Sequence, residues 1–294
     1  MSLLQAENAT GGSLWSTIMR RRDLIGILVV LFFLIAFFLW PLFQVLMLSV
    51  TDADNNLSVA PLYALIVNPG VQSVLLQTLI TSVTVSAVCL IVAYPAACGL
   101  AKLSGTRAVL ANMIILFPFL TSSLVRTFVF IVLLGRAGVL NQFLQYLNIP
   151  GAPFRLLFNQ AGVIIGMTYV LLPYMLLSLV GSMKRIDHSL LDAARSLGAG
   201  PLTVFWTVYL PLSLPGVAAG VVITTILGFG YFVTPALMGG PAQAMIAQLV
   251  EQQIVVMFNL NQAAGLSVIM LVVVVGAYVV ASRFLGLSNL MRAS

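Results

Sequence analysis

With one histidine, two cysteines and seven carboxylates scattered through 294 residues, the chain holds no cluster able to cage a metal. Three groups of residues still carry meaning by type and spacing. The first lies in Asp187 to Pro211, a polar, glycine-interrupted stretch between two long apolar runs. There Asp192-Ala193-Ala194 is followed after three residues by Gly198, and nine more lead to Val208 before Leu210-Pro211. A carboxylate beside two small residues and a helix-ending glycine is built for docking, not catalysis. The second is Arg126, a cation inside an apolar run, which costs about 3 kcal/mol on insertion scales; it either faces protein or water, as a candidate for a solute path or its outer gate, or snorkels to the outer interface. The third comprises Tyr169, Tyr174, Phe229 and Tyr231, aromatic residues beside Pro173 or within Gly228-Phe229-Gly230-Tyr231. Helices interrupted at membrane depth are tolerated only where backbone is buried or lines a cavity, which makes these four candidates for a solute path.

The elements that must position these groups are membrane spans. Hydrophobic residues make up 61% of the chain and charged residues 7%; a soluble domain carries roughly a quarter charged residues. At about 20 apolar residues per span, the sequence predicts an all-α polytopic membrane protein with six transmembrane helices. Their expected limits are 24–50, 72–101, 108–134, 160–183, 208–236 and 262–285. Residues 1–23 are expected to form a cytoplasmic or interfacial N-terminal segment, 24–285 the membrane domain and 286–294 a cytoplasmic tail. Arg20-Arg21-Arg22 before the first run resembles a secretory signal, but the run is too long and lacks a cleavage site, so it reads as an uncleaved span.

Lysine and arginine set the expected orientation. With both termini inside, ten basic residues face the cytoplasm, only Arg136 and Arg155 face outward, and Arg126 is intramembrane. The net charge of +6 is thus a topology signal, not a nucleic-acid patch. It makes 184–207 a cytoplasmic loop. On the opposite side, Leu140, Phe143, Leu144 and Leu147 predict a short amphipathic helix.

Within the spans, Gln77, Thr78, Thr81, Ser82 and Ser86 lie at helical spacing in the second, either lining a path or bonding to neighbouring helices. Gly162-x3-Gly166 and Gly216-x3-Gly220 predict close helix contacts. Cys89 and Cys98 fall on opposite helix faces and cannot bridge each other. No span contains Asp or Glu, so an internal proton or sodium relay is not expected. No G-x-x-x-x-G-K-[ST] loop occurs, so ATP binding is not expected either.

In the loop, Ile186, Leu190, Ala194 and Leu197 predict one apolar helix face. Ser189 and Asp192 fit a capping box, with Asp187 as the competing cap. Gly198 is expected at positive φ, and Gly200-Pro201 opens a second short helix.

The order Asp192-Ala193-Ala194, Gly198, Val208, Leu210-Pro211 resembles the EAA-type loop of ABC importer permeases, with Asp for Glu and Val for Ile. Further segments make the chain similar to the first membrane subunit of spermidine/putrescine-type permeases: Ala93-Tyr94-Pro95, Ser123-Leu124-Val125-Arg126, Ile165 through Pro173, and Leu237-Met238-Gly239-Gly240. The resemblance implies a type I ABC importer permease fold in a bacterial inner membrane, with no catalysis in this subunit. Asp192, Ala193, Ala194, Gly198, Leu210 and Pro211 would belong to the ATPase-coupling loop. It also implies a second homologous permease subunit, an ATPase dimer that binds ATP and Mg, and an extracytoplasmic substrate-binding protein. The implied substrate is a polyamine. An opine, amino acid, phosphonate or iron remains open within the class, and a secondary carrier or channel outside it.

Overall fold

A computed structural model describes residues 27–52 and 56–284. The Arg20–Arg22 cluster, the N-terminal segment and the tail lie outside them. The described residues are helical apart from turns, loops and one isolated bridge between Thr51 and Leu57. Among the described residues six candidate spans are long and apolar enough to cross a membrane, the third of them, Ser123–Tyr146, being counted across the turn that divides it into two helices.

In chain order they and the shorter elements are α1 (Ile27–Ser49), α2 (Ala60–Val67), α3 (Pro69–Ala101), α4 (Gly105–Leu116), α5 (Ser123–Leu134) and α6 (Val139–Tyr146). Then follow α7 (Gln160–Met183), α8 (His188–Ser196), α9 (Pro201–Phe229), α10 (Val233–Met238), α11 (Ile246–Val255) and α12 (Leu260–Phe284).

The centre of the bundle is α7, packed between α3 and α9. Its buried residues Val163, Met167, Leu171, Met175, Leu179 and Met183 recur every fourth position. On α3 the matching stripe is Val85, Cys89, Ala93 and Ala97, again every fourth position. Ridges of this spacing interdigitate when two helices cross. Glycines let α9 close in on the other side: a Cβ at Gly216 would lie 2.4 Å from Ser182 Cβ, and one at Gly220 would lie 2.5 Å from Met175 Sδ. The small-residue spacing expected to permit close contact does so here.

The hydroxyls of α3 serve packing. Ser86 Oγ and Thr224 Oγ1 lie 2.7 Å apart, joining α3 to α9, and Thr78 Oγ1 accepts from the Ile246 amide at 2.9 Å. Gln77 donates to Gln160 at 2.6 Å, and Gln160 donates to Thr81 at 2.8 Å, tying α3 to the start of α7. Of the two readings of that polar face, helix packing is the one these bonds support.

Three expectations change. The run 108–134 is not one helix. It breaks at a 3-10 turn, Phe117–Leu120, containing Pro118, with extended backbone at Thr121 before α5 begins. Conversely, α7 continues through Pro173, because a proline removes one donor without ending a helix whose neighbours hold it. Finally, the helix opened by Pro201 is not short. It passes through a π turn, Phe205–Tyr209, and continues as the fifth span to Phe229, while 233–238 forms the separate α10.

Candidate functional site

Two regions at different depths bring the sequence-selected residues together. The first is the knuckle around α8. Asp187 caps it: its carboxylate accepts from the Ser189 amide at 2.9 Å. Ser189 makes no cap, so the expected Ser189–Asp192 box gives way to the competing Asp187 cap. Asp192 is thereby released from the backbone and instead pairs with Arg195 one turn on, at 2.9 Å on an exposed face.

The helix ends where Gly198 takes φ +85°. The Gly198 amide donates to Arg195 at 2.9 Å and the Ala199 amide to Ala194 at 3.2 Å, the paired bonds of a Schellman stop. Ala193 is exposed and Ala194 half-buried, so this side of α8 is slim.

The apolar face of α8 differs from the expected one. Leu191 turns inward with Ile186, whereas Leu190 is exposed and Leu197 is 88% exposed. Leu202 just beyond is 73% exposed. Leu190, Leu197 and Leu202 are thus the exposed leucines of an otherwise polar loop. Behind it a cavity of about 260 Å³ separates α8 from the ends of α3 and α7, lined by Cys98, Lys102, Leu191, Arg195, Phe205 and Tyr209. Leu210 and Pro211 continue α9 directly after its π turn, joining the knuckle to the fifth span without a flexible linker.

The second region surrounds the break in the third span. Turning at Phe117–Ser122 strands backbone carbonyls inside an apolar run, where each needs a partner. Arg126 supplies them: its guanidinium donates to Pro118 O at 2.6 Å and to Thr121 O at 2.8 Å. The same group lies 5.9 Å from the Tyr169 ring centroid. Snorkelling to the surface is therefore not its role. Tyr169 also meets Phe130, and Tyr174 meets Phe119 edge-on, each at 4.9 Å. Tyr231 reaches in from the turn after α9, its hydroxyl 2.8 Å from Ser123 Oγ. Four of the five path candidates thus converge on one break. The fifth, Phe229, does not: it is 2% exposed and packs with Val71, Ile246 and Leu266. A bulky aromatic next to two glycines was filling a core.

Two polar atoms in this region, Arg126 Nε and Thr168 Oγ1, are buried with no hydrogen-bond partner among the described residues. They sit beside Tyr169 in contact and in sequence respectively. The break itself was missed in the sequence; Phe117-Pro118 with Thr121-Ser122 was its available signal.

This architecture, a six-helix bundle with a capped knuckle between its fourth and fifth spans, is that of an ABC transporter permease. Over 92% of its length the chain superposes with a TM-score of 0.71 on a subunit of a bacterial alginate ABC transporter solved with its alginate-bound periplasmic protein, at 17% identity and covering 96% of that subunit. No family model matches the sequence. Among curated relatives, the spermidine/putrescine transport system permease protein PotB of Escherichia coli K12 is 36% identical over 191 residues, 65% of this chain and 70% of that protein. PotB of Haemophilus influenzae is 32% identical over 249 residues, 83% and 87% of the two chains. A molybdenum transport permease, ModB of Mycobacterium bovis, is 30% identical over 218 residues. The chain belongs to the PotB-type family of ABC transporter permeases.

Proposed function

We propose that the chain is one of two membrane subunits of an ATP-driven importer in a bacterial inner membrane, and that it carries a polyamine such as spermidine or putrescine. The placement in the membrane rests on six spanning-length apolar helices and on PotB relatives, with an inner-membrane permease, YdcU of E. coli, also among them at 30% identity. The observation that carries the importer reading is the knuckle: a capped, glycine-stopped helix that exposes Leu190 and Leu197.

In the proposed assembly α8 sits on an ATPase subunit, with Ala193, Ala194 and Gly198 keeping the approach close and Asp192 exchanging its exposed Arg195 pair for a basic residue of the partner. Nucleotide and Mg bind to the ATPase dimer, not to this chain. Closure of that dimer moves α8, and the unbroken α9 transmits the movement to the bundle. A second permease completes the path, and a binding protein delivers solute from outside.

In this reading the break at Phe117–Ser122 borders the path. Tyr174 and Tyr169 offer aromatic faces to an ammonium group, and Thr168 Oγ1 and Arg126 Nε offer unpaired polar atoms. The charge of Arg126 opposes a polycation, but its donors are directed at backbone carbonyls, which tempers the repulsion. The same cation and the molybdenum-permease relative favour a second reading, the same machine with an anionic solute.

ATPase activity of the complete reconstituted complex, measured with its binding protein against a panel of solutes, separates these. Stimulation by spermidine or putrescine supports the polyamine reading. Stimulation by an oxyanion alone moves the substrate to the second reading. Solute uptake that persists without the ATPase subunits would make the chain a secondary carrier.

A further inference from the structure

At the end of the bundle opposite α8, the turn after α5 and the segment leading into α7 are tied together by one side chain. Asn141 of α6 is fully buried. Its amide nitrogen donates to Gly135 O at 2.9 Å and Phe154 O at 3.0 Å, and its Oδ1 accepts from the Phe154 amide at 2.9 Å. A buried amide with three backbone bonds fixes both strands of chain relative to each other.

The residue following each tied position is an arginine: Arg136 after Gly135 and Arg155 after Phe154. Both side chains are exposed, and both line a single cavity of about 510 Å³ that also reaches Asn159. Neither makes an ion pair with a described residue. Asn159 caps α7 through the Gly162 amide at 3.0 Å, and the Phe158 amide donates to Met238 O at 2.9 Å, so the far wall is held as firmly as the near one. These two arginines are also the only basic residues assigned to the outward side. Two arginines on fixed backbone that line one opening, neither in an ion pair with a described residue, offer carboxylates their two-bond pairing.

We infer that Arg136 and Arg155 are the docking point for an acidic surface of the extracytoplasmic binding protein, and that Asn141 is the residue that positions them. The inference rests on the outward orientation adopted in the proposed function. A protein partner suits the site better than a lipid because the cavity is walled by ordered loop backbone, and complementary charge accelerates and orients encounter between proteins.

The test uses the whole transporter in nanodiscs and the soluble binding protein that stimulates its ATPase. Arg136→Glu with Arg155→Glu should weaken binding at least about tenfold at low salt, each single change less, with the difference shrinking at high salt. Asn141→Leu should weaken binding with both arginines still present, and co-purification with the ATPase subunits shows that each variant has assembled. An acidic-to-lysine change on the binding protein should restore affinity to the double reversal. Unchanged affinity in an assembled Arg136→Glu/Arg155→Glu complex overturns the inference, as does an effect seen only when anionic lipid is present. Orientation is read separately: Arg136→Cys in a Cys89→Ser/Cys98→Ser background should react with an impermeant maleimide from outside. Reaction only from the inside overturns the orientation and the inference with it.

Discussion

The chain leaves helical geometry sharply both at Gly198 and at Phe117–Ser122, and the two turns satisfy their backbone by different means. At Gly198 the positive φ lets two amides fold back onto the carbonyls of Ala194 and Arg195, and water can take what remains. At Phe117–Ser122 the turn lies within an apolar run, and a guanidinium eight residues from Pro118 supplies the donors. A glycine suffices where water is the solvent. Where hydrocarbon is the solvent, the same change of direction requires a charged side chain, which explains why Arg126 is present in a span at all. One turn ends a projecting knuckle whose leucines lack a cover, while the other is bonded within the chain. The two turns thus differ in where their backbone finds its partners: within the helix end itself at Gly198, and on a side chain of the next helix at Phe117–Ser122.

Removing the inner brace should have the largest effect. Arg126→Leu strands the Thr121 carbonyl at about 1–3 kcal/mol and takes the charged donor from the Pro118 carbonyl, which keeps the Thr121 hydroxyl at 3.0 Å, so thermal unfolding in detergent should shift down and uptake should collapse. Arg126→Lys, which keeps charge but loses the planar fork, should fall between. Full uptake by Arg126→Leu would mean that the break is satisfied by something else. Next comes the close contact between α9 and α7. Gly216→Val places a methyl-bearing carbon against Ser182 and should cost about 1–3 kcal/mol through overpacking. Gly181→Ala, with nothing within 4 Å of the added carbon, should raise stability slightly, by about 0.5–1 kcal/mol.

At the knuckle itself, Gly198→Val forces a β-branched residue to φ +85°, a strain of about 1–2 kcal/mol. Global unfolding should hardly move while solute-stimulated ATPase activity drops; retained coupling would remove Gly198 from the docking geometry. The smallest effect belongs to the cap. Asp187→Ala should loosen α8 by about 1 kcal/mol, read as faster amide exchange over 188–196. Ser189→Ala should leave that exchange unchanged, and the reverse order would restore the Ser189 cap.

Much of this was legible because apolar periodicity and membrane thickness constrain a chain strongly. The fourth span is visible as an uninterrupted apolar run, and the Gly216–Gly220 spacing anticipates how closely α9 approaches α7. The convergence of Arg126, Tyr169, Tyr174 and Tyr231 was not legible, because it depends on a break that hydropathy cannot register: Phe117-Pro118-Phe119-Leu120 is as apolar as any helix. Pro173 and Pro118 illustrate the point. Both are prolines in apolar runs, yet one lies inside a helix packed on two sides and the other in a turn, and only tertiary packing decides which. Phe229 was misassigned for the same reason, since a glycine-flanked aromatic serves a core as readily as a path. Leu191 and Leu190 are adjacent leucines, and which one turned inward depended on where the Asp187 cap set the helix phase.

The most direct measurement asks whether the uncovered knuckle meets an ATPase subunit. Ala193→Cys, in a Cys89→Ser/Cys98→Ser background, should cross-link to a single cysteine placed in the groove of the ATPase subunit, in high yield, and the yield should change between nucleotide-free and ATP-bound complexes. An intact, co-purified complex in which Ala193→Cys gives no cross-link, while a cysteine elsewhere on the chain does, would contradict the account.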